Sequence, residues 1–271
     1  MLIRRGARGD RVKDIQRALN DKGFGQVGVD GIFGKGTELA VKRFQKASGL
    51  GVDGIVGPNT MTALTTEEEP KQPEVSDEPP PIIGVLEEKG YEVYTDGQIN
   101  TIGVRSSNTI ANSFDDEMHL VWVKNGLWQH KKYRITTDPG TYCLEHPEVY
   151  GRAAGTAIMV PGSYRAYKWD MHRGKYETLC QRAAPIRVWR DGDRNNILSF
   201  GHDDDPGIEG WYGVNLHHAG ANSTRVDKWS AGCQVFARIA DWEEAVKIWK
   251  ASEAEVFTYT LITEDDLSKE T

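Results

Sequence analysis

Val29-Asp30-Gly31-Ile32-Phe33-Gly34, followed by Thr37, recurs 23 positions later as Val52-Asp53-Gly54-Ile55-Val56-Gly57, followed by Thr60. Each copy reads as a glycine-punctuated turn that feeds a helix. Upstream, Gly9 or Asp10 opens a first helix with Val12, Ile15 and Leu19 on one face, closed by Gly23. A second helix carries Ala40, Val41, Phe44 and Ala47 before Gly49, and Pro58 stands where a third should begin, ahead of Met61 and Leu64. Residues 1–64 are therefore expected to form three short helices around one small core.

Residues 65–81 contain five prolines, six acids and almost nothing to bury. Such a stretch reads as an extended, self-repelling tether, which puts a domain boundary here. Charge divides the same way. Residues 1–64 carry eleven Lys/Arg against six Asp/Glu, while the whole chain has a formal net charge of −7. A basic module on an acidic protein suits an anionic partner such as a carboxylate-bearing polymer; an ordinary solvated surface explains the charge equally well.

At 271 residues, 38% hydrophobic and with eight Trp, the chain is long enough for two cores. No stretch approaches the length of a membrane span, and the start of the sequence lacks the apolar core of a secretory signal. Synthesis in the cytoplasm follows as an expectation. Three cysteines, Cys143, Cys180 and Cys233, make a sparse, odd set suited to reduced thiols rather than a disulfide framework.

Beyond the tether, residues 82–271 change character. Tyr91–Tyr94, Thr101–Val104, Met118–Val123, Lys132–Ile135, Ile186–Trp189, Tyr212–His217 and Val256–Ile262 cluster β-formers between turn residues, and Asp241 opens a helix through Trp242, Ala245 and Trp249. The expected architecture is multidomain: a small all-α bundle joined to a mostly antiparallel, β-rich α+β domain.

The chemistry concentrates in His217-His218-Ala219-Gly220 and Ser230-Ala231-Gly232-Cys233-Gln234. A thiol is a strong nucleophile only as the thiolate, and a neighbouring imidazole commonly generates it. A cysteine is more often a small buried hydrophobe. Against that stand the small-residue turn before Cys233 and the histidine-ended strand at loop distance; Cys143 and Cys180 have no such partner segment. The expected roles are Cys233 as nucleophile, His217 as base, and the backbone N–H of Cys233, with that of Gly232, as oxyanion donors in the catalytic turn that opens at Ser230. His218, on the opposite face of the strand, is expected to be secondary or merely exposed. His172 and Arg190 carry charge suited to clamping a carboxylate, or lie in solvated loops. His202-Asp203-Asp204-Asp205 is read as solvated, and neither a metal nor another cofactor is assigned.

Residues 3–64, through Gly9, Asp10, Val12, Gln16, Leu19 and both Asp-Gly turns, resemble the three-helix peptidoglycan-binding domain. Residues 90–260 resemble the L,D-transpeptidase catalytic domain, through His217, Ser230, Gly232, Cys233 and the Val160-Pro161-Gly162-Ser163-Tyr164 stretch. They are more similar still to the phage-borne members of that type found in endolysins. Ala231 stands where the family usually has histidine, and Gln234-Val235 departs from its pattern after the cysteine. The resemblance implies a cysteine peptidase that cuts peptidoglycan stems or cross-links through a thioester, released to the wall by a holin-type route. It implies peptidoglycan as partner, no nucleic acid, no membrane span and a monomer. The alternatives are a transpeptidase on the same acyl-enzyme, a noncatalytic wall-binding virion protein, and metal hydrolysis.

Overall fold

The computed structural model describes residues 2–22, 24, 27–48, 50–65, 72–150, 154–201 and 205–268. Gly23 and Gly49, expected to close the first two helices, lie outside them, as do 66–71 of the tether and 202–204 of the acidic run. The chain divides into two compact units, one of residues 1–71 with 221–224 and one built from 72–220 and 225–271.

In the first unit, α1 (Asp10–Asp21), α2 (Lys35–Ala47) and α3 (Pro58–Thr65) follow the sequence expectation. Val12, Ile15, Leu19, Phe33, Val41, Phe44, Val56 and Leu64 form its core, and Ile3 bridges to Val56. The repeat has a physical basis that its motif does not display. Buried Gln16 donates from Nε2 to Asp30 Oδ1 (2.9 Å), Ile32 O (3.1 Å) and Thr37 Oγ1 (3.2 Å), while its Oε1 accepts Gly31 N–H (2.9 Å). Gln45 repeats the pattern with Asp53 (2.8 Å), Ile55 O (3.0 Å), Thr60 (3.2 Å) and Gly54 N–H (2.8 Å). Gly31 and Gly54 sit at φ 74° and 76°, the left-handed region that favours glycine. Each turn is thus wired to a helix through one buried amide. The Gln16 amide with the Ile32 N–H holds the Asp30 carboxyl below its usual pKa, and the Ile55 N–H with the Gln45 amide does the same for Asp53.

The second unit contains β1 (Glu74–Ser76), α4 (Pro81–Glu88), β2 (Asn100–Arg105), β3 (Asp116–Lys124), β4 (Leu127–Thr136), α5 (Thr141–Glu145), β5 (Thr156–Met159), β6 (Gly162–His172), β7 (Tyr176–Gln181), β8 (Ile186–Asp191), β9 (Ile208–Gly210), β10 (Leu216–His218), β11 (Gln234–Phe236), α6 (Ile239–Ala251), β12 (Phe257–Thr263) and α7 (Glu264–Leu267). The main sheet runs β1-β4-β11-β10-β7-β6-β12-β2-β3, and β3 also pairs with β4. That pairing closes the eight strands other than β1 into a barrel. Most neighbours are antiparallel; β10–β11 and β12–β2 are parallel. A separate three-stranded sheet has the order β5-β8-β9.

Two differences from the sequence expectation have clear causes. Glu74–Ser76, read as tether, pairs with β4, and Pro81 occupies the first turn of α4. Behind that proline, Ile82, Ile83, Val85 and Leu86 bury against Ile102, Val104, Val121 and Ile262. Tyr91–Tyr94 forms no strand, because the Asn100 amide replaces a strand partner: Tyr94 N–H donates to Asn100 Oδ1 and Asn100 Nδ2 donates to Tyr94 O, both at 2.8 Å.

Helix α6 packs Trp242, Ala245 and Trp249 into the main core, where both indoles find hydroxyl acceptors, Thr178 (3.2 Å) and Thr101 (2.9 Å). Buried Arg105 bonds Met159 O at 2.9 Å and pairs with Asp138 at 3.0 Å, tying β2 to β5 and to the segment after β4.

Truncating Gln45 to Ala orphans several buried groups at once, at an expected cost of about 2 kcal/mol to the first unit. Calorimetry of the full chain is then expected to show that unit's transition roughly 10 °C lower. An unchanged transition contradicts the amide-hub account.

Candidate active site

The parallel pair β10–β11 sets Leu216 opposite Gln234 and His217 opposite Val235. Cys233, one residue before β11, is therefore level with Asn215. Because side chains alternate along a strand, Cys233, Asn215, His217 and Val235 share one face. His217 stands about 7 Å further along that face, the rise of two residues. Asn215 N–H donates to Cys233 Sγ at 3.5 Å, and Sγ–H donates to Gly213 O at 3.6 Å. A backbone N–H aimed at sulfur favours the anionic form.

All three cysteines are reduced. Cys143 and Cys180 are buried, and burial raises the Cys180 thiol to about 11. Cys233 is half-buried. Of the three sulfurs, only that of Cys233 combines access to solvent with a donor N–H and a histidine on its face of the sheet.

The turn before it is built for shape. Ser230 Oγ donates to Cys233 O at 2.8 Å and accepts Gly232 N–H at 3.1 Å, while Ser230 O accepts Gly140 N–H at 3.0 Å. Gly232 has φ 110°, and a Cβ there would run into the Ala157 carbonyl oxygen. This corrects the roles expected for two residues. The Gly232 N–H is spent on Ser230 Oγ and does not face an oxyanion, and Ser230 closes the turn. Both position Cys233.

His217 is buried, with Nδ1 3.1 Å from His218 O. That carbonyl can only accept, so Nδ1 carries the proton and Nε2 presents a lone pair. Burial, reinforced by neighbouring His172, lowers its pKa to about 3. The imidazole is neutral at physiological pH.

His172, at the end of β6, is also buried and stacks on His217 with centroids 4.4 Å apart at 25°. Its Nδ1 lies 3.1 Å from Asn215 Nδ2. Burial, with help from Arg173, lowers its pKa to about 4. An uncharged ring packed this way is no carboxylate clamp, so that expectation is corrected. His218 faces away from His217: it stacks on Tyr176 at 4.7 Å, lies 4.8 Å from Trp242, and bonds Ala219 O at 2.5 Å. It packs α6 rather than holding substrate. Arg190 donates to Gly155 O at 3.1 Å and lies 4.8 Å over the Tyr212 ring. Tyr212 N–H and Gly213 N–H both donate to Gln181 Oε1, at 3.0 and 2.9 Å. Arg190 thus flanks the segment that touches the sulfur.

Sequence reasoning missed Asn215, Gly213 and Gln181, which act through backbone groups and an amide. A depression of about 660 Å³ is lined by Thr141, Tyr142, Glu145, Arg225, Asp227, Lys228 and Trp229. It includes neither Cys233 nor His217, and the chemistry is not located there.

Residues 8–64 match the peptidoglycan binding domain family. The spore cortex-lytic enzyme of Bacillus cereus is 44% identical over 63 residues, which are 23% of this chain and 24% of that protein. The chain thus spans about a quarter of the length of the curated relatives it matches. The second unit is β-rich. The L,D-transpeptidase of Stackebrandtia nassauensis is 15% identical, with 96% of this chain and 94% of that one covered, at a TM-score of 0.28. The Burkholderia AP3 phage endolysin is 28% identical over 37% of this chain and 45% of that one, at a TM-score of 0.24. These similarities assign no residue here. Among the described residues, no helix is long and apolar enough to cross a membrane.

Ring-nitrogen NMR between pH 5 and 7 is expected to show His217 and His172 uncharged, with the His217 proton on Nδ1. Protonation of either ring above pH 6 contradicts this electrostatic account.

Proposed function

We propose that the chain is a lytic cysteine peptidase of peptidoglycan, acting in the manner of an endolysin on peptide stems or cross-links. The observation that carries the reading is the half-buried Cys233 sulfur, held between Gly213 O and Asn215 N–H on the face that bears His217. A wall-binding unit on the same chain supports the choice of substrate, since tethering raises the local concentration of its bonds.

In this mechanism thiol and imidazole are both neutral at rest. As Sγ attacks a peptide carbonyl carbon, the Cys233 proton passes to His217 Nε2, and the carbonyl oxygen becomes the oxyanion. Collapse expels the amine, which takes the proton back from the imidazolium, and a thioester remains on Cys233. Water attacks the thioester as His217 takes its proton; the C–S bond then breaks, the acid leaves, and the departing thiolate takes the proton back from the imidazolium to restore the thiol. An amine in place of water completes transpeptidation. The half-buried sulfur leaves one side open to water, which favours hydrolysis as the primary reading.

Mass spectrometry of muropeptides tests the assignment. Wild-type protein is expected to release peptides gaining one water per cut, with Cys233→Ser slower by about a thousandfold or more. Cross-linked products that grow over time indicate transfer instead. Equal cleavage by Cys233→Ser overturns cysteine catalysis.

A further inference from the structure

Two contacts hold the His217 ring. His218 O fixes its Nδ1 proton, and the face of His172 lies 4.4 Å from it at 25°. His172 is itself locked from behind. Asn215 Oδ1 accepts Gln181 N–H at 3.0 Å, which turns the amide nitrogen toward His172 Nδ1 at 3.1 Å. A donor aimed at Nδ1 excludes a proton there, so His172 carries its proton on Nε2 and has no charge. The same Asn215 gives its backbone N–H to Cys233 Sγ. One residue therefore touches both the sulfur and the ring that backs the histidine.

We propose that His172 is a positioning residue for His217, whose stacked, uncharged ring fixes the plane of the catalytic imidazole and faces it without charge when it takes up the thiol proton. The proposal rests on the Cys233–His217 reading given above. In the step concerned, the S–H bond of Cys233 breaks, an N–H bond forms at His217 Nε2, and thiolate and imidazolium result. A neutral aromatic face beside the new cation is attractive, whereas a second imidazolium there would repel it. The surrounding groups act in the same sense. His218 on β10, Arg182 just after β7, and Arg173 and Lys175 in the β6–β7 turn all oppose a charge on His172, and the Tyr176 ring lies 5.6 Å from it.

The test is the rate at which iodoacetamide alkylates Cys233 as a function of pH, read by peptide mass spectrometry on the folded full chain. His217→Ala is expected to slow alkylation at pH 7 about tenfold, as loss of a positioned base should. His172→Ala is expected to slow it by several-fold and to move the midpoint of the pH profile by about half a unit, since His217 loses the uncharged aromatic face that lies beside its ring. His172→Phe keeps the stacked plane and is expected to stay within about twofold of wild type. Should His172→Ala fail to fold, His172→Gln replaces it: the amide accepts from Asn215 but provides no ring, so the same loss is expected. A wild-type profile in His172→Ala, with His217→Ala slowed, overturns the positioning role alone. Equal losses in His172→Ala and His172→Phe overturn stacking as its means. A wild-type profile in His217→Ala overturns the Cys233–His217 reading itself.

Discussion

The register of one short parallel pair governs the site. Leu216 lies opposite Gln234, which puts Cys233 level with Asn215 and turns His217 to the same side of the sheet. A slip of one residue in either strand would send the sulfur to one face and the imidazole to the other. Three-residue strands do not fix a register unaided, and the neighbouring contacts do so here. On the barrel side, Gln234 Oε1 accepts the Tyr259 hydroxyl at 2.7 Å, and Thr178 Oγ1 donates to Leu216 O. On the loop side, Gly232 lies against the Ala157 carbonyl, where a larger residue would displace the cysteine. The barrel core thus acts on the site through two backbone positions, one on each strand.

A second constraint is electrostatic. Burial of His217 and His172 leaves both rings uncharged at neutral pH. In the proposed mechanism the free protein therefore holds no stored thiolate–imidazolium pair, and the thiol proton moves as the substrate is attacked. Cationic Arg173, Lys175 and Arg182 crowd the same hairpin and add to the cost of charging His172. The Asn215 N–H points at the Cys233 sulfur, where it favours negative charge. Reactivity becomes conditional on a substrate that fills the site and excludes water.

What the sequence displayed was mostly local. Both Asp-Gly turns were legible because a left-handed glycine and an Asp capping the N–H two residues on are read within four positions. Their control by Gln16 and Gln45 was not, since each amide reaches partners on separate segments. Strands with long alternation, β3 and β12 among them, stood out, whereas α4 was hidden by prolines that in fact start it. Tyr212–His217 shortened to a three-residue strand because Gly213, at φ 69°, breaks it. Cys233 and His217 stand out as candidates by residue type and spacing alone. His172 was misjudged because its neighbours in sequence are charged, while its neighbours in space are an amide and another imidazole.

The claim that Cys233 and His217 form one reactive unit is tested most directly by a double-mutant cycle on stem-peptide cleavage. Rates are measured for wild type, Cys233→Ser, His217→Ala and the double variant, all checked for an intact fold. The expected result is strong non-additivity, with the double variant no slower than Cys233→Ser alone. Losses that simply multiply would mean that the two residues act independently, and the shared-face account would fail.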